Sequence, residues 1–181
     1  NNALDLIKNK KYNITDITSK IYTRNPSGPF TTSTLQQTSS SKLGFGASRT
    51  MQIAQRLYQG IDIDGETVGL ITYMRTDGTN ISKDAIATFR DFITQNYGEK
   101  YLPLSPLNYS GKKAKNAQEA HEAIRPAGIN FASKEKVLQS LDNDTARLYD
   151  LILKRTLASQ MKSAKIKRVS VSIVNGKTLF K

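Results

Sequence analysis

Residues 69–82 read GLITYMRTDGTNIS and set a tyrosine, an arginine and an aspartate at alternate positions, Tyr73, Arg75 and Asp77. The apolar and β-branched residues that open this stretch predict an extended segment, in which side chains two apart lie on the same face. One surface would then present a phenol, a guanidinium and a carboxylate to the same ligand. The alternative is a solvated strand face on which the arginine and the aspartate form a surface ion pair.

These three groups suit an attack on a phosphodiester. A phenol is a poor nucleophile near neutral pH because its ordinary pKa is about 10. A neighbouring permanent cation favours the phenolate and also holds a phosphate. The function therefore depends on whether the rest of the chain supplies further phosphate-binding groups.

The chain of 181 residues has 27 lysines and arginines against 15 acidic residues, a net charge of +12. The excess lies at the two ends, because residues 1–50 hold seven basic and two acidic side chains and residues 151–181 hold eight basic and none acidic. A basic balance of this kind favours a polyanionic partner, although a basic protein without such a partner has the same composition.

Several classes of protein are excluded by what the sequence lacks. No cysteine is present, which excludes a disulfide framework and a thiolate metal site, and His121 as the only histidine excludes a histidine-rich zinc site. No apolar run approaches the roughly 20 residues that span a bilayer, and no signal peptide opens the chain, so a cytoplasmic protein without membrane contact is expected. The lysines that follow Gly111 and Gly176 lack the earlier glycine of a phosphate-binding loop, which argues against ATP hydrolysis.

Hydrophobic periodicity and capping residues predict an α+β fold. Strand patterns cover 12–22, 68–76 and 166–174, and the Asn175-Gly176 pair predicts a hairpin after the last of them. The hydroxyl-rich run 31–42 is interpreted as a helix rather than a flexible linker, and Gly60 as a left-handed helix stop. Helices are predicted to begin at Thr31 or Thr32, Ser48, Ser82, Asn116, Ser133 and Asp144.

The order of these elements predicts the domain organisation. A mainly helical domain at 30–158 is inserted between two β arms, at 1–29 and 159–181, that belong to a second, incomplete domain. The chain begins without methionine and stops just after the hairpin signal, so we expect a fragment of a longer protein.

Asp62, Asp64 and Glu66 alternate as oxygen ligands of Mg²⁺ can do. Their place just after a helix end, with Gly65 among them, favours a turn instead.

His121 and Arg125 lie four residues apart, which on the helix predicted from Asn116 places both on one face together with Gln118. A lone histidine is usually structural. A phosphate, however, accepts hydrogen bonds from both side chains, so the pair is also a candidate anion site.

Three stretches together resemble the type IA DNA topoisomerases. They are PFTTSTLQQ at 29–37, GLITYMRTDGTNIS at 69–82 and HEAIRP at 121–126, and LGFGASRTMQIAQRLYQG at 43–60 is similar as well. The likeness covers nearly the whole chain. Met74 and the TSTLQQ motif resemble bacterial topoisomerase I more than topoisomerase III. The resemblance implies a type IA-like fold, in which the helical domain carries the nucleophilic tyrosine.

The resemblance also implies a role for each matching residue. Tyr73 is the nucleophile that attacks one DNA strand and keeps a 5′-phosphotyrosine link, Arg75 neutralises the scissile phosphate, and Asp77 orients Arg75 or the turn after it. His121 and Arg125 bind backbone phosphates near the cleavage point. Unless Thr32 is only a helix cap, further hydrogen bonds to the DNA are implied for Thr32, Ser33, Thr34 and Gln36.

The chain departs from the family pattern in two respects. Gly78 stands where serine is common, which removes a hydroxyl contact. The acidic Mg²⁺-binding domain of the family has no counterpart, so Mg²⁺ is expected in a part of the parent chain absent here, with no metal in this fragment. The fragment alone is therefore expected to be unable to relax negative supercoils, and to bind single-stranded DNA weakly and in a salt-sensitive manner.

The competing interpretation is a non-catalytic module that binds single-stranded nucleic acid and uses Tyr73 only structurally. A relaxase is disfavoured because it needs a histidine cluster for its metal. A tyrosine recombinase is disfavoured because it needs several arginines around a distant tyrosine.

Overall fold

The computed structural model describes residues 2–8, 10–63, 65–109, 121–128 and 134–180. The helices of these ranges are α1 (Asn2–Ile7), α2 (Thr32–Leu43), α3 (Ala47–Gln59), α4 (Lys83–Tyr97), α5 (Lys134–Ser140) and α6 (Asn143–Ser159). The strands are β1 (Tyr12–Arg24), β2 (Ile61–Ile63), β3 (Glu66–Val68), β4 (Ala164–Asn175) and β5 (Thr178–Phe180). The mixture of helices and sheet confirms the predicted α+β class.

The chain divides into two compact units. One contains Asn1–Asn25 with Ser163–Lys181, and the other contains Pro26–Lys162. The predicted bounds of the domains stay a prediction. They are 30–158 for the helical domain, and 1–29 and 159–181 for the two arms of an incomplete domain. Within the described ranges, no helix combines the length and the apolar character that crossing a bilayer requires.

The unit with both chain ends is built on an antiparallel ribbon. Strand β1 pairs with β4 over its whole length, with a β-bulge between Ile14 and Asp16, and the chain returns as β5 after the Asn175-Gly176 turn. The predicted outer strands and hairpin are therefore confirmed. The part of β4 near the hairpin is half-buried, whereas the rest of β4 and all of β1 are exposed.

Helix α6 is the centre of the second unit. It packs against α2, α3, α4 and α5, and Leu148 and Ile152 on α6 are fully buried. Burial of a side chain of this size contributes about 1.5–3 kcal/mol. The same core includes Phe30, Leu35, Leu57, Phe89, Ile93 and Ile124.

Two of the predicted helix starts are confirmed at the level of single hydrogen bonds. Thr31 caps α2 by accepting from the Thr34 N–H, and Ser82 caps α4 by accepting from the Ala85 N–H. Phe89 and Ile93 of α4 are fully buried.

Other helix ends differ from the prediction. Helix α3 starts after Gly46, whose carbonyl accepts from the Thr50 N–H, so Ser48 lies inside the helix and does not cap it. Gly60 has φ 112° and ψ 153°, which is not the left-handed helical stop expected there. Helix α6 is capped by Asp142, two residues before the expected Asp144. Ser133 lies outside the described residues.

The long strand predicted for 68–76 is wrong. Strands β2 and β3 instead pair antiparallel over three residues each, and the Gly65 N–H donates to Asp62 Oδ1 (2.9 Å). After β3 the backbone hydrogen bonds go to different segments. The Leu70 N–H donates to the Leu57 carbonyl, and the Thr72 N–H donates to the Arg125 carbonyl. A strand needs one continuous neighbour, and this segment has several.

The cap of α6 gives a prediction on stability and its pH dependence. The Thr145 N–H, which donates to Asp142 Oδ1 (2.9 Å), and the Arg56 guanidinium lower the pKa of Asp142. A lowered folded-state pKa stabilises the protein above the unfolded value of about 4, and this contribution is lost as the pH falls through the folded value. Asp142→Ala should therefore reduce the free energy of unfolding by about 1 kcal/mol at neutral pH and by less in acid.

Urea unfolding at neutral pH and near the lowered pKa measures this difference. Asp142→Asn is the matched control, since asparagine caps a helix equally well but does not titrate. An Asp142→Ala loss that is the same size at both pH values would contradict the charge contribution.

Candidate active site

The site is built where three separate segments meet. Residues 121–127 run extended between Phe30 and residues 70–72: Ile124 N–H donates to the Phe30 carbonyl (2.8 Å), and Ala127 N–H donates to the Leu70 carbonyl (2.9 Å). The helix predicted over 116–125 is therefore wrong for 121–125, and residues 116–120 lie outside the described ranges. The extended form is set by these partners and by Pro126, which disfavours the helical region at Arg125.

Thr72 ties the tyrosine segment to the 121–127 segment. Its N–H donates to the Arg125 carbonyl (2.9 Å), and its hydroxyl donates to the Ala123 carbonyl (2.7 Å) while accepting from the Arg125 N–H (3.0 Å). Since Thr72 immediately precedes Tyr73, these bonds fix the backbone from which the phenol projects.

Tyr73 lies between two other rings. Its ring centre is 5.3 Å from that of Tyr58, in an edge-on arrangement, and 5.4 Å from that of His121. Tyr73 is 36% exposed and Tyr58 is 40% exposed, so both phenols remain accessible to a ligand. The packing orients the Tyr73 ring while the residue stays exposed.

The predicted alternation of exposure is confirmed, although the segment is not a strand. Tyr73, Arg75 and Asp77 are exposed, whereas Met74 and Thr76 are buried between them. Neither Arg75 nor Asp77 forms a hydrogen bond or an ion pair with another residue of the described ranges. The alternative of an Arg75–Asp77 surface ion pair is therefore not observed, and the guanidinium is available to an anion.

Thr32 holds the loop on both sides of Arg75. Its hydroxyl lies 2.8 Å from the Met74 carbonyl, 3.1 Å from the Thr76 carbonyl and 2.8 Å from the Thr76 N–H that it accepts from. Its own N–H donates to the Thr76 carbonyl (2.8 Å). The N-cap of α2 is Thr31, so Thr32 is not the helix cap.

His121 and Arg125 differ in their surroundings. His121 is exposed beside Tyr73, whereas the Arg125 side chain is only 13% exposed and forms an ion pair with Glu122, its Nε lying 3.1 Å from Glu122 Oε2. The other carboxylate oxygen of Glu122 accepts from the Ser82 N–H (2.6 Å). The two predicted phosphate ligands are therefore not equivalent, since Arg125 already has an anionic partner.

The remaining predicted contacts lie in the first turn of α2. Ser33 is exposed, and its hydroxyl lies 3.2 Å from that of Thr31. Thr34 completes the capping box with Thr31, because the Thr34 hydroxyl accepts from the Thr31 N–H. Gln36 is half-buried, with no hydrogen bond to another described residue.

Gly78 allows the two segments to approach closely. A Cβ at this position would overlap the His121 carbonyl oxygen, and the Gly78 N–H donates to Thr76 Oγ1 (2.9 Å). A residue with a side chain at position 78 would therefore require the backbone of one of the two segments to shift.

The described residues include no candidate metal site. In the part of the chain that the structure describes, no group of three or more histidine, aspartate or glutamate side chains is placed to hold one. Asp62 uses a carboxylate oxygen to close the hairpin turn, and Asp64 lies outside the described residues.

Tyr58, Glu122 and Thr72 are the site residues that the sequence did not point to. Tyr58 lies on α3, and nothing in the sequence shows that its ring meets that of Tyr73. The opposite charges of Glu122 and Arg125 three residues apart were a signal, but that spacing alone indicates a helix pair.

A family model and curated relatives match nearly the whole chain. A family model described as DNA topoisomerase matches residues 1–181. The chain is 50% identical over 169 residues to DNA topoisomerase 1 of Rickettsia felis, covering 93% of this chain and 22% of that protein. It is 46% identical over 178 residues to DNA topoisomerase 1 of Campylobacter jejuni, covering 98% of this chain and 25% of that protein.

The fold of the chain is also similar to that of a solved topoisomerase structure. Full-length topoisomerase I from Thermotoga maritima matches with a TM-score of 0.75 at 36% identity, over 95% of this chain and 27% of that one. The chain thus spans 22–27% of the length of these relatives. The resemblance and the fold predicted from the sequence are both confirmed.

Proposed function

Because the chain belongs to the DNA topoisomerase family, we propose that it is the nucleophile-bearing part of a type IA enzyme and that Tyr73 links covalently to one DNA strand. The observation that carries this proposal is the placement of Tyr73, whose exposed phenol is oriented by Tyr58 and His121 beside the available Arg75.

The proposed reaction exchanges one ester for another. The Tyr73 oxygen forms a bond to phosphorus while the bond from phosphorus to the 3′ oxygen breaks, leaving a 5′-phosphotyrosine and a free 3′ hydroxyl. The phenol loses a proton and the 3′ oxygen gains one. The number of phosphate ester bonds is unchanged, so resealing after strand passage needs no ATP and negative supercoils are relaxed.

The other side chains have separate roles in this proposal. Arg75 neutralises charge on the scissile phosphate, and Asp77 on the same exposed face orients Arg75 or the turn. His121 contacts a backbone phosphate. Arg125, which is held by Glu122, mainly fixes the 121–127 segment and offers its remaining N–H groups to a neighbouring phosphate. Ser33, Thr34 and Gln36 remain proposed contacts to the strand.

The complete activity is assigned to a longer protein. We place the acidic Mg²⁺ site and the rest of the single-strand path in the part of the parent chain that this segment lacks, since the segment spans only 22% of the length of the Rickettsia felis relative. The isolated segment should then bind DNA without relaxing it, in a cytoplasmic, nucleoid-associated parent.

Adduct formation by the full-length protein tests the proposal. The protein is incubated with a single-stranded oligonucleotide and Mg²⁺, then denatured, and the label that stays on the protein is read on a gel. A 5′-phosphotyrosine link predicts retention of a 3′ label and loss of a 5′ label. Retention of the 5′ label, or of neither, would contradict the assignment.

The second candidate function is nucleic-acid binding without catalysis, which the charge of the β1–β4 ribbon favours. Lys20 and Arg168 lie directly opposite each other on β1 and β4, and the Arg168 guanidinium lies 5.1 Å from the ring centre of Tyr22. Cations and an aromatic ring on one face suit a single strand, which is bound through phosphates and stacked bases.

This face gives a prediction on salt dependence. The double variant Lys20→Gln/Arg168→Gln should bind single-stranded DNA more weakly, because two phosphate contacts are lost, and the slope of log K against log salt should fall by about 1.4. The matched control is Arg49→Gln/Lys154→Gln, which removes the same charge from residues already paired with Asp144 and Asp150. Fluorescence anisotropy across a salt series measures both slopes, and equal slopes would contradict a role for the ribbon.

A further inference from the structure

We infer that Thr32 is a positioning residue that sets the conformation of the loop carrying Tyr73 and Arg75, and that it is not a ligand of the DNA. The inference rests on the proposed function, because it concerns the rate at which the tyrosine reacts. It replaces the expectation that the Thr32 hydroxyl contacts the strand.

The hydroxyl is already committed by its hydrogen-bonding capacity. A threonine hydroxyl has one proton to donate and two lone pairs to accept with. The proton goes to the Met74 carbonyl (2.8 Å), with the Thr76 carbonyl as a longer second acceptor (3.1 Å), and one lone pair takes the Thr76 N–H (2.8 Å). A phosphate oxygen can only accept, so no proton on this hydroxyl remains for it.

The Thr32 hydroxyl contacts the backbone on both sides of Arg75. Met74 and Thr76 are the residues before and after Arg75, and their side chains are only 2% and 8% exposed. Backbone groups this close to the core need partners inside the protein. Thr32 supplies these partners and so fixes the direction in which Arg75 and Tyr73 leave the loop.

The same short segment also holds the second half of the site. Phe30, two residues before Thr32, accepts from the Ile124 N–H (2.8 Å) and is fully buried. The Arg155 guanidinium lies 4.4 Å from the Phe30 ring centre, which anchors the segment to α6. Residues 30–32 therefore contact both the Tyr73 loop and the His121 segment, and so fix the position of one relative to the other.

Removal of the hydroxyl alone should slow the chemical step. Thr32→Val keeps the shape of the side chain but leaves the Met74 carbonyl and the Thr76 N–H without this partner. A shift of about 1 Å in a reacting group costs on the order of 100-fold in rate. We expect adduct formation at saturating DNA to slow roughly 10- to 100-fold, with the Kd for the oligonucleotide changed by less than about twofold.

Two companion variants of the full-length protein separate positioning from general destabilisation. Thr32→Ser retains the hydroxyl and should recover most of the wild-type rate. Thr50→Val removes a hydroxyl that bonds the Gly46 carbonyl (3.0 Å) from a fully buried position on α3, and should leave the rate unchanged. Rates are compared below the Tm of each variant, and Thr32→Ala replaces Thr32→Val if the latter does not fold.

The outcomes distinguish the inference from the proposed function. A wild-type protein that forms no adduct would overturn the proposed function and this inference with it. A wild-type adduct together with an equally fast Thr32→Val would overturn only the inference. A Thr32→Val protein with weaker DNA binding but an unchanged saturated rate would also overturn it, since that pattern identifies Thr32 as a DNA ligand.

Discussion

Replacing Tyr73 with phenylalanine in the full-length protein should abolish the covalent adduct and the relaxation of supercoils, while leaving folding and DNA binding close to wild type. The substitution removes only the phenolic oxygen, and that oxygen has no hydrogen bond to another residue in the described ranges. The ring contacts with Tyr58 and His121 are retained. Because Tyr73 alone is assigned to form the ester, the expected loss is complete rather than partial.

Tyr58→Phe is the matched control for this experiment. Tyr58 is a second exposed phenol with its ring centre 5.3 Å from that of Tyr73, so it is the residue most able to substitute as nucleophile. Adduct formation should survive in Tyr58→Phe and vanish in Tyr73→Phe. The reverse pattern, or an adduct in both variants, would show that the nucleophile has been misassigned.

The second large effect is expected at Arg75. Arg75→Ala should slow adduct formation at saturating DNA by about 10²–10³-fold, which is typical when one group that stabilises transition-state charge is removed. Since the guanidinium has no partner among the described residues, its removal should change the free energy of unfolding little. Single-turnover adduct formation measures the rate, and thermal unfolding measures the stability.

Arg75→Lys and Arg49→Ala complete this comparison. Lysine keeps the charge but not the fork of donors, so the rate should recover only in part. Arg49 is also an exposed arginine, but it is paired with Asp144 on α6, and its removal should leave the saturated rate unchanged. An Arg75→Ala rate within a few-fold of wild type would contradict a role for Arg75 at the phosphate.

Local pattern predicted the exposed face correctly because local features determine it. Met74 is apolar, and the Thr76 hydroxyl accepts from the Gly78 N–H two residues later, so both residues can be buried while their neighbours face outwards. The same holds for the caps at Thr31 and Ser82, which depend on bonds within three residues.

The prediction failed where distant partners decide the structure. The spacing of His121 and Arg125 fits a helix, but hydrogen bonds to Phe30, Leu70 and Thr72 make that segment extended. Likewise the contact between Thr32 and Met74 spans 42 positions in sequence, so no periodicity reveals it. Tyr58 was missed for the same reason, because its helix position does not show which ring it meets.

The most direct test of the central claim is to identify the residue that carries the DNA. The adduct of the full-length protein is trimmed with nuclease and digested with protease, and tandem mass spectrometry locates the remaining nucleotide. We predict that the nucleotide is attached to Tyr73. A nucleotide on Tyr58 or on any other side chain would contradict the account.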